Sequence, residues 1–181
     1  MKSSSRRLCS RFGGAAMSVA IFVVAANTAT AQTVEARCEK LLPLKAVVAA
    51  AGAGFAAYDA VERKPGQLEC SWLSRSSGSI KTLVVTHWNK AALGEWGREF
   101  TPVKSGDDWW DQVVTNTEDA MKGKRQVING LGKRAALVAM PPKSGTQAKV
   151  FIQRPDEVLD VIGMGLNNAD LTKVAKAVAS P

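Results

Sequence analysis

The chain has 181 residues, 46% of them apolar, with 24 basic and 16 acidic side chains and one histidine, for a net charge of +8. A single histidine excludes multi-histidine metal sites and the HExxH arrangement of zinc hydrolases. The excess of positive charge is uneven, because part of it sits in an amino-terminal segment that reads as a removable leader.

That segment is residues 1–31. Lys2, Arg6, Arg7 and Arg11 form a positive end without an acid, and an apolar stretch from about Phe12 to Ala26 follows. The stretch is about 15 residues long, short of the roughly 20 needed to span a bilayer. Ala29-Thr30-Ala31 then offers small residues for a signal peptidase, so the mature chain is expected to begin at Gln32. Ser5-Arg6-Arg7-Leu8-Cys9-Ser10-Arg11 partly matches a twin-arginine export motif, with Cys9 and Ser10 replacing Phe and Leu. A disulfide forms poorly in a reducing cytoplasm and therefore favours the general secretory route. Cys9 precedes the apolar run, in the wrong place for a lipid anchor. No second apolar run of spanning length follows, so the expected product is a soluble periplasmic or secreted bacterial protein. Nucleic acid is not an expected partner in that compartment.

Removal of residues 1–31 leaves 20 basic and 16 acidic residues, a net +4, in a single domain over 32–181. It also leaves two cysteines, Cys38 and Cys70, which an oxidising compartment should join. Closing that loop would contribute roughly 3–4 kcal/mol in the chain-entropy account.

Leu42 to Ala53 reads as a helix, with Pro43 in its first turn and Leu44, Val47, Val48 and Ala51 on one face. Leu68 to Leu73 alternates as a strand, with Leu68, Cys70 and Trp72 on one side. A Ser/Gly loop over Ser74 to Ser79 leads into a strand from Ile80 to Trp88. Asn89 can cap a helix carrying Leu93, Trp96 and Phe100. Ser105 and Asp108 have capping-box spacing before a helix with Trp110, Val113, Val114, Thr117 and Met121 on one stripe. Arg134 to Met140 and Gln147 to Gln153 read as strands around a Pro141 to Gly145 loop. Pro155-Asp156 turns into Val158 to Ile162, and Leu171, Val174, Ala175 and Val178 stripe a final helix.

These elements predict an α+β fold: an antiparallel sheet with helices packed on one face, and one disulfide. Each half places a hairpin before a helix. No residue-level repeat links the halves, so a duplication stays open.

Cys38-Glu39-Lys40-Leu41-Leu42, a helix ending in Gly, and Cys70-Ser71-Trp72 resemble small cell-envelope domains of unknown function, best known as actinobacterial lipoproteins. Their second halves often carry Gly-Leu-Gly-Asp-x-Ala before a strand. Here Gly130-Leu131-Gly132-Lys133-Arg134-Ala135 matches except for Lys133. The resemblance implies a surface-associated α+β domain with a disulfide between its first helix and a strand, and it carries no activity.

Catalytic motifs are mostly excluded. No Gly-x-Ser-x-Gly elbow accompanies His87, and Cys38 and Cys70 lie 32 positions apart rather than in a CxxC pair. Gly132-Lys133 fails as a phosphate loop, because the upstream glycine is misplaced and Arg134 stands where Ser or Thr is needed. Asp107 and Asp108 precede a helix, where carboxylates suit the amino-terminal dipole. Glu95 and Glu99 have the spacing of one helix face. No catalytic residue, metal ligand or cofactor is assigned.

Charge distribution is more informative. From Met121 to Pro155 there are eight basic residues and no acid, whereas Glu95 to Asp119 holds seven acids. Lys122, Lys124, Arg125, Lys133, Arg134, Lys149 and Arg154 form a candidate patch for an anionic partner; the competing reading is neutralisation by the acidic helices. Among the tryptophans, Trp72 should pack on the disulfide, and Trp96 and Trp110 lie on buried stripes. Trp88 and Trp109 are free to be edge packing or a contact platform. The expected function is a non-catalytic envelope protein that binds a partner protein, glycan or anionic surface. The alternative is an enzyme of unrecognised type that uses carboxylates with His87.

Overall fold

A computed structural model describes residues 32–76, 79–93, 106–142 and 146–180, without side-chain description at 76 and 106–109. Gln32–Pro181 clusters as one compact unit. The leader with Cys9, the residues Glu95, Trp96, Glu99 and Phe100, Ser105 and Lys143 lie outside the described residues, as do the side chains of Asp107, Asp108 and Trp109.

The helices are α1 (Val34–Leu41), α2 (Leu44–Ala51), α3 (helical over described residues 90–93), α4 (Gly106–Met121) and α5 (Asn168–Ala179). The strands are β1 (Phe55–Lys64), β2 (Gln67–Ser76), β3 (Ser79–Asn89), β4 (Lys124–Val127), β5 (Arg134–Ala139), β6 (Gln147–Gln153) and β7 (Glu157–Met164). They form one seven-stranded sheet in the order β1-β2-β3-β7-β6-β5-β4, with every pair antiparallel. The fold is therefore α+β. The β3·β7 pair joins the two halves, with β2 and β1 beyond β3 and β6, β5 and β4 beyond β7, and each half places a hairpin, β2–β3 or β6–β7, before a helix.

One face of the sheet presents Leu68, Cys70, Trp72, Leu83, Val85, Val150, Ile152, Leu159 and Val161, all buried in a single cluster with α1, α2 and α5. The stripe of Leu171, Val174, Ala175 and Val178 on α5 lies wholly within it. α4 forms a smaller layer on the opposite face, where Trp110, Val114 and Met121 meet Ala136, Val138, Phe151 and Val158. The one-face layering thus holds for α1, α2 and α5, and α4 adds a partial cover on the other side. Strand residues in β6 are consequently buried in an unbroken run, Val150 to Gln153.

Several boundaries differ from the sequence expectation. The helix expected over Leu42 to Ala53 is shorter, Leu44–Ala51. Leu42 is extended (φ −150°, ψ 97°), and Pro43 stands ahead of α2 instead of inside it. A residue that precedes proline is pushed away from helical angles by the pyrrolidine ring. Cys38 accordingly lies within α1 and not ahead of the first helix. β2 runs to Ser76 and β3 begins at Ser79, which shortens the expected Ser74 to Ser79 loop. β1 and β4 were not anticipated. Asn89 does cap α3: its Oδ1 accepts from the Ala91 and Ala92 amides, each at 3.1 Å.

The disulfide joins Cys38 on α1 to Cys70 on β2, with Cα atoms 5.6 Å apart. Trp72 and both cysteines line the same hollow of about 330 Å³. Among the described residues, no helix is long and apolar enough to cross a membrane.

Candidate functional site

The basic stretch from Met121 to Pro155 is wrapped around the β4–β5 hairpin and the two turns that frame it. Lys122 leaves α4 with a left-handed backbone (φ 50°) and is exposed, as is Lys124 at the start of β4. Both line a cleft of about 370 Å³ together with Gln126, Met140, Pro142 and Asn168. On the other side of β4, Arg125, Lys133, Arg134, Asp111 and Trp110 line a second cleft of about 270 Å³. Its rim is the turn Asn129 to Lys133. Gly132 holds φ +60° there, and a Cβ would collide with the Gln153 carbonyl oxygen. That close approach explains the glycine in Gly130-Leu131-Gly132, while Leu131 itself is buried in the core. Lys133 donates its amide to the same Gln153 oxygen at 2.7 Å.

Partners divide the seven candidate cations. Arg125 is held on α4: its amide donates to Glu118 Oε1 at 2.6 Å, and its Nη2 lies 2.9 Å from Glu118 Oε2. Arg134 donates Nε to Gln153 Oε1 at 2.8 Å and approaches Asp111 Oδ1 to 3.6 Å. Its guanidinium stands 5.3 Å from the centroid of the Trp110 ring. Trp110 in turn meets Phe151 edge-on, with centroids 6.5 Å apart. Lys149 pairs with buried Asp160 at 3.3 Å. Arg154 bonds Glu157 at 3.2 Å and donates to the Val178 and Ala179 carbonyls at the end of α5. The acidic segment preceding the basic run therefore supplies Asp111 and Glu118 as counter-charges, and Lys149 and Arg154 find theirs on β7. Lys122, Lys124 and Lys133 are exposed at the surface.

His87 lies elsewhere, near the end of β3. Its Nε2 is 3.5 Å from Glu157 Oε2, in an open cleft that also receives Arg154, Arg37 and Lys40. Burial lowers the imidazole below its ordinary value, against the opposing pull of Glu157, which favours the neutral form of His87. No spacing rule linked residues 37, 87 and 157; the helix–sheet crossing and the β3·β7 register bring them together, with His87 opposite Leu159 and Glu157 two residues along on the diagonal position. Among the described residues, no group of three or more histidine, cysteine, aspartate or glutamate side chains could hold a metal ion. Comparisons with protein-family models, curated proteins and solved structures find no match to the chain.

Proposed function

We propose that the protein is an exported, non-catalytic binding domain of the cell envelope that engages an anionic surface through its β4–β5 end. The observation that carries this reading is the clustering of cations there. Five of the seven candidate residues line the two clefts that flank β4, and Asp111 is the one acidic residue among the lining side chains. Concentrated positive charge of this kind attracts anionic surfaces over about a Debye length, ~8–10 Å at physiological ionic strength. The amino-terminal leader and the Cys38–Cys70 disulfide support an extracytoplasmic setting. The resemblance to envelope lipoprotein domains supports the same setting.

Vesicle sedimentation tests the proposal. The protein is expected to bind phosphatidylglycerol vesicles at low salt, lose affinity as salt rises, and ignore phosphatidylcholine. Charge reversal at Lys122, Lys124 and Lys133 should abolish binding without unfolding, because these side chains are exposed. No binding at low salt, or binding untouched by the triple reversal, would sink the idea. Cross-linking in intact envelope would reveal a protein or glycan partner in place of the lipid surface.

A second reading, an enzyme using His87 with a carboxylate, rests on the His87–Glu157 contact inside an open cleft. A neutral imidazole beside a carboxylate can accept a proton. The lining hydroxyl of Ser180, however, donates to the Lys176 carbonyl at 3.0 Å instead of facing His87. Turnover of an ester or phosphoester panel that disappears in His87→Gln would favour this reading; equal residual rates would discard it.

A further inference from the structure

The His87 cleft carries a separate inference, independent of the β4–β5 surface. It measures about 590 Å³ and forms where α1, the ends of β3 and β7, and the end of α5 meet. Its apolar part consists of Leu41, Leu68 and Val178; Leu68 and Val178 belong to the buried core. Its positive charges come from two separate places: Arg37 and Lys40 on α1, and Arg154 in the turn between β6 and β7. The only lining carboxylate, Glu157, is already engaged by Arg154 at 3.2 Å and His87 at 3.5 Å. Arg37 is paired with Glu62 of β1 at 2.8 Å. Lys40 makes no ion pair among the described residues, and with three cations against one carboxylate the lining side chains carry a net positive charge.

A cleft of this volume falls within the range of small-molecule sites, roughly 300–1,000 Å³. Its chemistry narrows the ligand. An inorganic anion would leave the leucines and the valine unused, and a neutral hydrocarbon would leave the cations unused. A ligand that satisfies both has an aliphatic body and an anionic head. We propose that this cleft binds a free aliphatic carboxylate, with its chain on Leu41, Leu68 and Val178 and its carboxylate beside Lys40, in the field of Arg37 and Arg154. Arg154 contributes from a fixed position, because its Nη2 is anchored to the carbonyls of Val178 and Ala179. The head group therefore meets a preformed cationic wall, while Lys40 supplies the adjustable contact.

His87 is the only histidine of the chain, so its imidazole proton resonances are an unambiguous reporter inside the cleft. Titration of the protein with sodium octanoate should move these resonances along a saturable curve. Acetate, which lacks the chain, and octan-1-ol, which lacks the charge, should produce no saturable shift over the same range. Lys40 is exposed in the last turn of α1, so Lys40→Gln and Lys40→Glu should leave the thermal transition unchanged. Affinity for octanoate should fall in that order, by roughly tenfold for the charge reversal. No saturable shift with octanoate, an equal response to octan-1-ol, or wild-type affinity in Lys40→Glu would each overturn the proposal. So would a His87 response to phosphatidylglycerol vesicles without one to octanoate, which would identify a membrane lipid as the ligand. Vesicle binding through Lys122, Lys124 and Lys133 should be the same in the Lys40 variants, so the two sites fail separately.

Discussion

Asp160 on β7 lies between Thr86 of β3 and Phe151 of β6 in the ladder and is 5% exposed. Its Oδ2 meets Lys149 Nζ at 3.3 Å, and its Oδ1 has no hydrogen-bond partner. Burial pushes the carboxyl up to about 6, against the lowering effect of Lys149, so loss of hydration outweighs the ion pair. The folded state holds the Asp160 proton more tightly than the unfolded chain, whose carboxyl titrates near 3.8. The cost is therefore fully present above pH 6 and is relieved as pH falls from there toward 3.8. Asp160→Asn is predicted to raise stability at pH 8 by up to about 3 kcal/mol and to change little near pH 4, as measured by urea unfolding at both values. Lys149→Ala should be more damaging at pH 8 than at pH 5, because the charged carboxylate then loses its partner. His87 acts in the opposite sense. Its lowered value means that acidification below 6.5 favours the unfolded chain. The sequence did not reveal Asp160 as a buried charge. In Leu159-Asp160-Val161 it occupies the alternate position that a one-sided sheet would leave in water, and this sheet is partly covered on both sides.

Among the elements, α1 depends most on a covalent tie. It is mostly polar: Cys38 is its one buried residue, and only Val34 and Leu41 pack half-buried against the core beside it, so limited apolar area holds it to the sheet. Removing the disulfide by paired Cys38→Ala and Cys70→Ala changes is predicted to lower stability by about 3–4 kcal/mol. Denaturant titration of oxidised, reduced and mutated protein measures this. Amide exchange should accelerate first in α1, the element left with the weakest attachment. The same polarity explains why α1 was not apparent in the sequence. The two unanticipated strands share another cause, their position at the sheet edges. β1 buries only Phe55 and is interrupted by irregularities at Ala57/Asp59 and Glu62/Lys64. β4 is four residues long with two cations. Neither has the alternation that marked β2, β3 and β6, because an edge strand need not be apolar to pair on one side. Charges and bulges there also discourage strand addition by another molecule.

At the scale of the molecule, the two halves meet at β3·β7 and share a continuous core. The larger cluster runs from Val47 and Trp72 in the first half to Ile152 and Val174 in the second. A core that crosses the midline should melt as one unit. Tryptophan fluorescence and far-ultraviolet circular dichroism are predicted to report coincident unfolding transitions; two separated transitions would show that the halves are independent. The architecture was legible from hairpins and helix stripes because those patterns are local. The candidate site was legible only in part. A run of eight basic residues was visible, but which of them carry counter-ions depends on α4 folding back over β4 and β5. The second cleft was invisible because it draws on positions as distant as Gln32, His87 and Ser180. That lining has a practical consequence. Gln32, just ahead of α1, and Ser180, just after α5, border one and the same cavity, so the entry to the first helix and the exit from the last share a single doorway. A short linker joining these points, with new ends opened at the β2–β3 hairpin, should give a foldable circular permutant whose doorway is barred. An affinity tag fused directly to Gln32 or to Ser180 would stand in the path of whatever enters.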